Sequence, residues 1–156
     1  MIGKRLFDLA IVIPGILLVA PLMLVIAVWI KVDSRGPVLF RQKRVGRGGR
    51  KFNVLKFRSM VRNAESTERR ITVAGDVRIT RSGAFLRRYK LDELPQLFKV
   101  LKGEMSLVGP RPEVPEYVAL YPDAIRNRVL SVPPGITDLA SIEFRNENEL
   151  LADAID

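Results

Sequence analysis

Apolar and polar positions divide the chain into one long uncharged stretch followed by a series of short amphipathic ones. Leu9 to Ile30 carries no charge, and about 20 apolar residues suffice for a helix to cross the hydrocarbon core of a bilayer. Trp29 and Lys31 close this stretch with an aromatic and a basic anchor of the kind found at a membrane interface. Pro14 and Pro21 interrupt its helical pattern, and Pro21 predicts a kink because it removes a hydrogen bond from the helix interior. Lys4 and Arg5 precede the segment and Lys31, Arg35, Arg41, Lys43 and Arg44 follow it. Cations on both flanks pull both ends to the cytoplasmic side. A re-entrant helix, entering and leaving by one leaflet, satisfies both flanks, whereas a straight crossing satisfies one.

Beyond the turn cluster Asp33 to Pro37, Val38–Val45 and Lys51–Arg58 flank Gly46-Arg47-Gly48-Gly49 and predict a β-hairpin. Alternation in the second strand puts Phe52, Val54, Lys56 and Arg58 on one face and Asn53, Leu55 and Phe57 on the other. Its cations suit either substrate contact or protection of an exposed strand edge. Met60 to Arg70 reads as a short exposed helix leading to a loop around Ala74-Gly75-Asp76. A further helix is expected to start at Ser82 and to place Phe85, Leu86 and Tyr89 together. That helix suits an anionic membrane surface or the core of a domain.

Leu94, Leu97, Phe98 and Leu101 fall at i, i+3, i+4 and i+7, one face of a helix that Gly103 can close. Pro95 fits its first turn, where a missing N–H costs no intrahelical bond. Asp92 and Glu93 therefore stand at its start, behind a run containing Arg81, Arg87, Arg88 and Lys90. Carboxylates there serve equally as ordinary helix caps and as chemistry. Met105 to Val108 leads into Gly109-Pro110-Arg111-Pro112, where two prolines stiffen the backbone around a guanidinium suited to phosphate or nucleobase recognition, or simply make a rigid connector. Glu116 to Leu130 predicts two helices parted at Pro122, Ile136 to Phe144 a strand, and Arg145 to Leu151 the start of a helix whose pattern is unfinished at Asp156. The expectation is a missing C-terminal segment.

Composition narrows the chemistry. The 156 residues suit one small domain, residues 33–156, with an anchor over residues 1–32, and the formal charge of +9 calls for anionic partners. Cysteine and histidine are both absent, which excludes disulfides, thiolate nucleophiles, histidine-based triads and the usual zinc ligands. Asp, Glu, Lys and Tyr are left for proton transfer or nucleophilic attack, and a metal here should be a hard, oxygen-bound ion such as magnesium. A membrane-tethered nucleic-acid-binding protein and a membrane-surface scaffold are the alternatives the charge allows. Neither a recognition helix nor stacking aromatics on a basic face stand out, so nucleic acid is not expected as a partner.

The ordered set Lys4-Arg5-Leu6-Phe7-Asp8, Gly36-Pro37-Val38-Leu39-Phe40-Arg41-Gln42, Lys56-Phe57-Arg58-Ser59-Met60, Arg78-Ile79-Thr80, Gly83-Ala84-Phe85-Leu86-Arg87, Leu91-Asp92-Glu93-Leu94-Pro95-Gln96, Gly109-Pro110-Arg111-Pro112 and Pro134-Gly135-Ile136-Thr137 resembles the monotopic phosphoglycosyl transferases, a bacterial sugar transferase family. The resemblance implies an α/β (α+β) fold with a proline-kinked re-entrant membrane helix and a small helical domain with a β-hairpin lying on the membrane surface. It implies transfer of a sugar 1-phosphate from a UDP-sugar to undecaprenyl phosphate, with release of UMP, at the cytoplasmic face of the bacterial inner membrane, among anionic lipids. Asp92 matches the family's nucleophile, which forms a phosphosugar-aspartyl intermediate, and Glu93 its partner at a magnesium site. Lys56, Arg58, Arg78, Arg87, Arg88, Pro110, Arg111, Pro112 and Arg145 are the corresponding substrate-binding candidates, and Pro21 the membrane kink.

Overall fold

The computed structural model describes residues 2–61 and 76–139. Of the helix expected over Met60 to Arg70, residues 62–70 lie outside the described residues, as do Ala74 and Gly75, Arg145 and the expected C-terminal helix; Met60 is not helical but forms an antiparallel bridge with Ile79. Helix α1 (Ile2–Asp33) runs through both Pro14 and Pro21. Strands β1 (Leu39–Val45) and β2 (Lys51–Phe57) form the predicted antiparallel hairpin, with Phe40 opposite Lys56, Gln42 opposite Val54 and Arg44 opposite Phe52. Helix α2 (Arg81–Arg88) leads to a 3-10 turn over Leu91–Gln96, which passes directly into α3 (Leu97–Lys102). Strand β3 (Ser106–Val108) pairs in parallel with β4 (Gly135–Thr137), and α4 (Pro115–Val118) and α5 (Asp123–Val129) lie between them. The last pair of helices is parted at Pro122, as expected. The strand expected from Ile136 is confined among the described residues to Gly135–Thr137.

Helix α1 organises the packing. Its inward stripe contributes Ile26 and Ile30 to a core with Phe57 and Leu86, and Val12 to a second core with Val100 and Met105. Burying side chains of this size contributes about 2 kcal/mol each. The opposite stripe, including Leu6, Leu17, Leu18, Leu24, Val25, Val28 and Val32, is exposed. Polar clips flank the apolar middle. Near the N-terminus, Arg5 donates to the carbonyls of Val100 and Leu101 at 2.5 and 2.8 Å in the last turn of α3, where Val100 O also accepts from the capping Gly103 N at 2.9 Å. The buried Asp8 carboxylate accepts from Ser106 Oγ at 2.7 Å and Leu107 N at 3.3 Å. At the other end, Asp33 Oδ2 accepts from Ser82 N and Oγ at 2.9 and 2.7 Å, so the last residue of α1 fastens the first turn of α2. Thr80 caps that turn through Gly83 N.

Two expected faces are turned. In α2 only Leu86 enters the core, whereas Phe85 and Tyr89 are exposed and stack outward, Phe85 against Trp29 of α1 with ring centroids 5.3 Å apart. In α3 the buried residues are Val100 and Lys99, the latter paired with Glu104 at 2.7 Å, and Phe98 and Leu101 are exposed. The 3-10 turn causes the second change. It advances about 120° per residue rather than 100°, so a helical count begun at Leu94 drifts out of phase before α3 begins. Gly103, at φ +83°, closes α3 as predicted.

Candidate active site

The 3-10 turn lies against β2, and this places Lys56 over the acidic pair. Lys56 Nζ donates to Glu93 Oε1 at 2.7 Å. Burial pushes the Glu93 carboxyl up, but the charge and hydrogen bond of Lys56, with Arg111 and Lys90 nearby, outweigh it and hold Glu93 below its usual range. Asp92 shifts the other way. It is 7% exposed; burial raises its pKa, Lys56 and Arg87 counter this in part, and the charge of Glu93 adds to the rise. Its carboxylate accepts no hydrogen bond from another residue's side chain among the described residues. Neighbouring carboxylates pushed in opposite directions are a pattern of acid–base and nucleophilic sites. The capping alternative does not describe this turn, because Lys90 occupies the cap position with a left-handed backbone and no side-chain bond.

Glu93 and Lys56 face a shallow open pocket lined also by Arg44, Val54, Gln96, Arg111, Pro112, Gly135 and Ile136. Arg111 reaches it because the Gly109–Glu113 loop is fixed on both flanks. Gly109 N donates to Thr137 O at 3.1 Å, Gly135 N to Pro110 O at 2.9 Å, and Val45 N to Glu113 O at 2.9 Å. Gly109 and Gly135 approach so closely that a Cβ on either would strike the other's backbone or its neighbours. Asp92, next to the lining residue Glu93, is not itself among the lining residues.

The sequence model of the bacterial sugar transferases matches residues 1–155. The chain belongs to that family. Among curated relatives of this sugar transferase chain, the undecaprenyl-phosphate glucose phosphotransferase of Komagataeibacter xylinus is 49% identical over 148 residues, covering 91% of this chain and 28% of that protein. The UDP-N-acetylgalactosamine-undecaprenyl-phosphate N-acetylgalactosaminephosphotransferase of Aeromonas hydrophila is 45% identical over 141 residues (89% and 33%). The UDP-glucose:undecaprenyl-phosphate glucose-1-phosphate transferase of Xanthomonas campestris pv. campestris is 46% identical over 151 residues (94% and 31%). The sugar transferase chain thus spans about a third of the length of these relatives.

The remaining candidates of this family member are spread more widely. Arg87 acts on Asp92 through its charge. Arg88 lies over the Tyr89 ring, 5.8 Å from its centroid. Arg78 is bonded to Asp76, whose pKa the side-chain hydrogen bonds of Arg78 hold down to about 2. Arg58, one residue past β2 and 6% exposed, turns away from Lys56 toward the end of α1. Its Nη2 donates to Ile30 O at 3.3 Å and to Ser34 O and Oγ at 2.7 and 2.8 Å, and its Nε and Nη1 have no hydrogen-bond partner among the described residues. Alternation put Arg58 beside Lys56; the strand ends at Phe57, and the alternation ends with it.

Arg44 and Gln96 were missed as pocket residues. Arg44 was legible only in the strand register, because Phe40, Gln42 and Arg44 of β1 share the face of Lys56 across the hairpin. Gln96 carried no separate signal, since its burial follows from the 3-10 turn.

Proposed function

We propose that the protein containing this chain transfers a sugar 1-phosphate from a UDP-sugar to undecaprenyl phosphate. The observation that carries this reading is the division of labour between two adjacent carboxylates. Glu93 is held ionised and paired with Lys56, while Asp92 is desolvated and without a side-chain partner. A weakly solvated carboxylate is a competent nucleophile toward phosphorus. Asp92 attacks the sugar-bearing phosphorus; a bond forms from its oxygen to phosphorus, and the bond to the bridging oxygen breaks, so that UMP leaves with that electron pair. A phosphate oxygen of the lipid then attacks the same phosphorus and releases the carboxylate. The relatives' names support the substrate classes.

Lys56, Arg111 and Arg87 supply positive charge around the acidic pair, which is the chief demand of phosphoryl transfer. Magnesium fits this donor set, because it takes one or two carboxylates together with substrate phosphates and water. Asp92 and Glu93 would hold it, and it would neutralise charge on the diphosphate.

The docking of α1 supports a monotopic arrangement at the cytoplasmic face of the inner membrane, with Pro21 as the kink of a re-entrant helix. Both ends of the helix are clipped to the same body, at Arg5 and Asp8 and again at Asp33, whereas a straight crossing would carry one end away across roughly 30 Å of hydrocarbon. The outward apolar stripe then meets lipid, and the site lies near the depth of the polyprenyl phosphate head.

Incubating the detergent-solubilised protein with a panel of UDP-sugars and magnesium, without acceptor lipid, and measuring intact mass tests the chemistry. A phosphosugar adduct on wild type but not on Asp92→Asn is expected; equal adducts on both would overturn the nucleophile. The chain has no native cysteine, so single cysteines placed at either end of α1 report topology cleanly, and labelling from opposite sides would defeat the monotopic arrangement.

A further inference from the structure

Two arginines share the pocket and are used differently. The Arg111 side chain makes no hydrogen bond among the described residues; only its backbone N–H is held, by Asp138 Oδ2 at 3.2 Å. Arg44 is bonded at all three nitrogens. Nε and Nη2 donate to Gln42 Oε1 at 3.1 and 2.7 Å, and Nη1 donates to Pro112 O at 3.1 Å and lies 3.5 Å from Glu113 Oε2. Its charge is matched by Glu113, which allows it to stand close to the like charge of Arg111. One residue on, Val45 N bonds Glu113 O. Strand β1 thus grips the loop immediately after Arg111, while β4 grips it immediately before.

We propose that Arg44 is a positioning residue for the transfer reaction: by clamping Pro112 and Glu113 to β1 it fixes where Arg111 stands, and so sets the affinity for the nucleotide diphosphate end of the donor. This rests on the phosphosugar-transfer reading. The planar fork of arginine is essential to the role, since it holds an amide oxygen and a main-chain carbonyl from opposite edges, and a lysine ammonium at the end of a flexible stem keeps the charge but not the clamp. The Arg111 guanidinium, without a hydrogen bond among the described residues, then meets the ligand, and Arg44 acts only through it.

The test uses the full-length protein in detergent, with Arg44→Lys and Gln42→Leu compared with wild type. KM for the UDP-sugar, KM for undecaprenyl phosphate and kcat are measured separately, with amide hydrogen exchange at Arg111 and Glu113 alongside. Arg44→Lys is expected to raise the donor KM about 10-fold, with kcat within about 3-fold and the acceptor KM unchanged, the pattern of lost binding rather than lost chemistry. Gln42→Leu, which frees one edge of the fork, is expected to raise the donor KM about 3-fold. Both should speed exchange at the two loop amides. A fall in kcat with the donor KM unchanged, or donor KM and exchange both equal to wild type, overturns the assignment. Should Arg44→Lys fail to fold, Gln42→Leu decides by the same criteria. Wild-type protein that transfers no phosphosugar from any UDP-sugar defeats the functional reading itself; active wild type with indifferent variants defeats only the role of Arg44.

Discussion

Lys56 Nζ lies 2.7 Å from Glu93 Oε1, and this one contact joins the second strand of the hairpin to the acidic turn. Both side chains are about four-fifths shielded, so losing one partner strands the other in poorly solvated surroundings. Lys56→Met is therefore expected to destabilise the fold by about 2 kcal/mol, less than a fully buried pair would lose, and to lower turnover by about 100-fold. Urea titrations of both single variants and of Lys56→Met/Glu93→Gln check the coupling, and equal, additive losses would show that the pair is not one unit.

Asp92→Asn separates stability from chemistry. The folded pKa of Asp92 lies above its ordinary value of 3.8 because the carboxyl is buried. The fold therefore favours the protonated form, and the stability this gives is complete at acid pH and lost as pH rises through the folded pKa. Asparagine, neutral throughout, should melt about 3 °C higher than wild type at neutral pH, the shift that roughly 1 kcal/mol produces in a chain of this size, with the gap closing in acid. Adduct formation by wild type should rise with pH, because the ionised carboxylate attacks.

Gly36 holds φ at +132°, and an added Cβ would collide with Nη1 of the buried Arg58. Gly36→Ala is thus expected to cost at least about 2 kcal/mol from backbone strain and overpacking together. Gly48, at φ +64° with open space around it, is the control; its alanine variant should cost about 1 kcal/mol, the backbone term alone. Similar losses at both sites would show that the Arg58 contact adds nothing.

Asp33 fastens α1 to α2 through both bonds to Ser82. Those hydrogen bonds hold its pKa below 3.8, so its contribution is present above that value and disappears as pH falls through the folded pKa. Asp33→Ala should cost about 1 kcal/mol at neutral pH, the worth of a lost helix-terminal acceptor. Thermal melts at pH 7 and at pH 3 should show the difference shrinking in acid; a constant difference would mean that the loss comes from packing.

What the sequence determined by itself was set by local patterns. An uncharged stretch with cations at both ends marks the long apolar helix, alternation around Gly46 to Gly49 marks the hairpin, and the absence of histidine and cysteine narrows proton transfer and nucleophilic attack to Asp, Glu, Lys and Tyr. What only the tertiary structure decided concerns pairings distant in the chain. Asp92 and Glu93 are adjacent and chemically alike in the sequence, and they diverge because packing of the 3-10 turn on β2 brings Lys56 to one and buries the other. Arg58 reads as the companion of Lys56 and goes instead to the end of α1, because the strand stops one residue earlier. Arg44 reads as one cation among many, and it becomes the clamp beside Arg111 only when β1 is laid against a loop more than 60 residues away. Hydrophobic period specifies an element; which face it buries and which charges pair across elements depend on register and turn geometry, which local pattern does not encode.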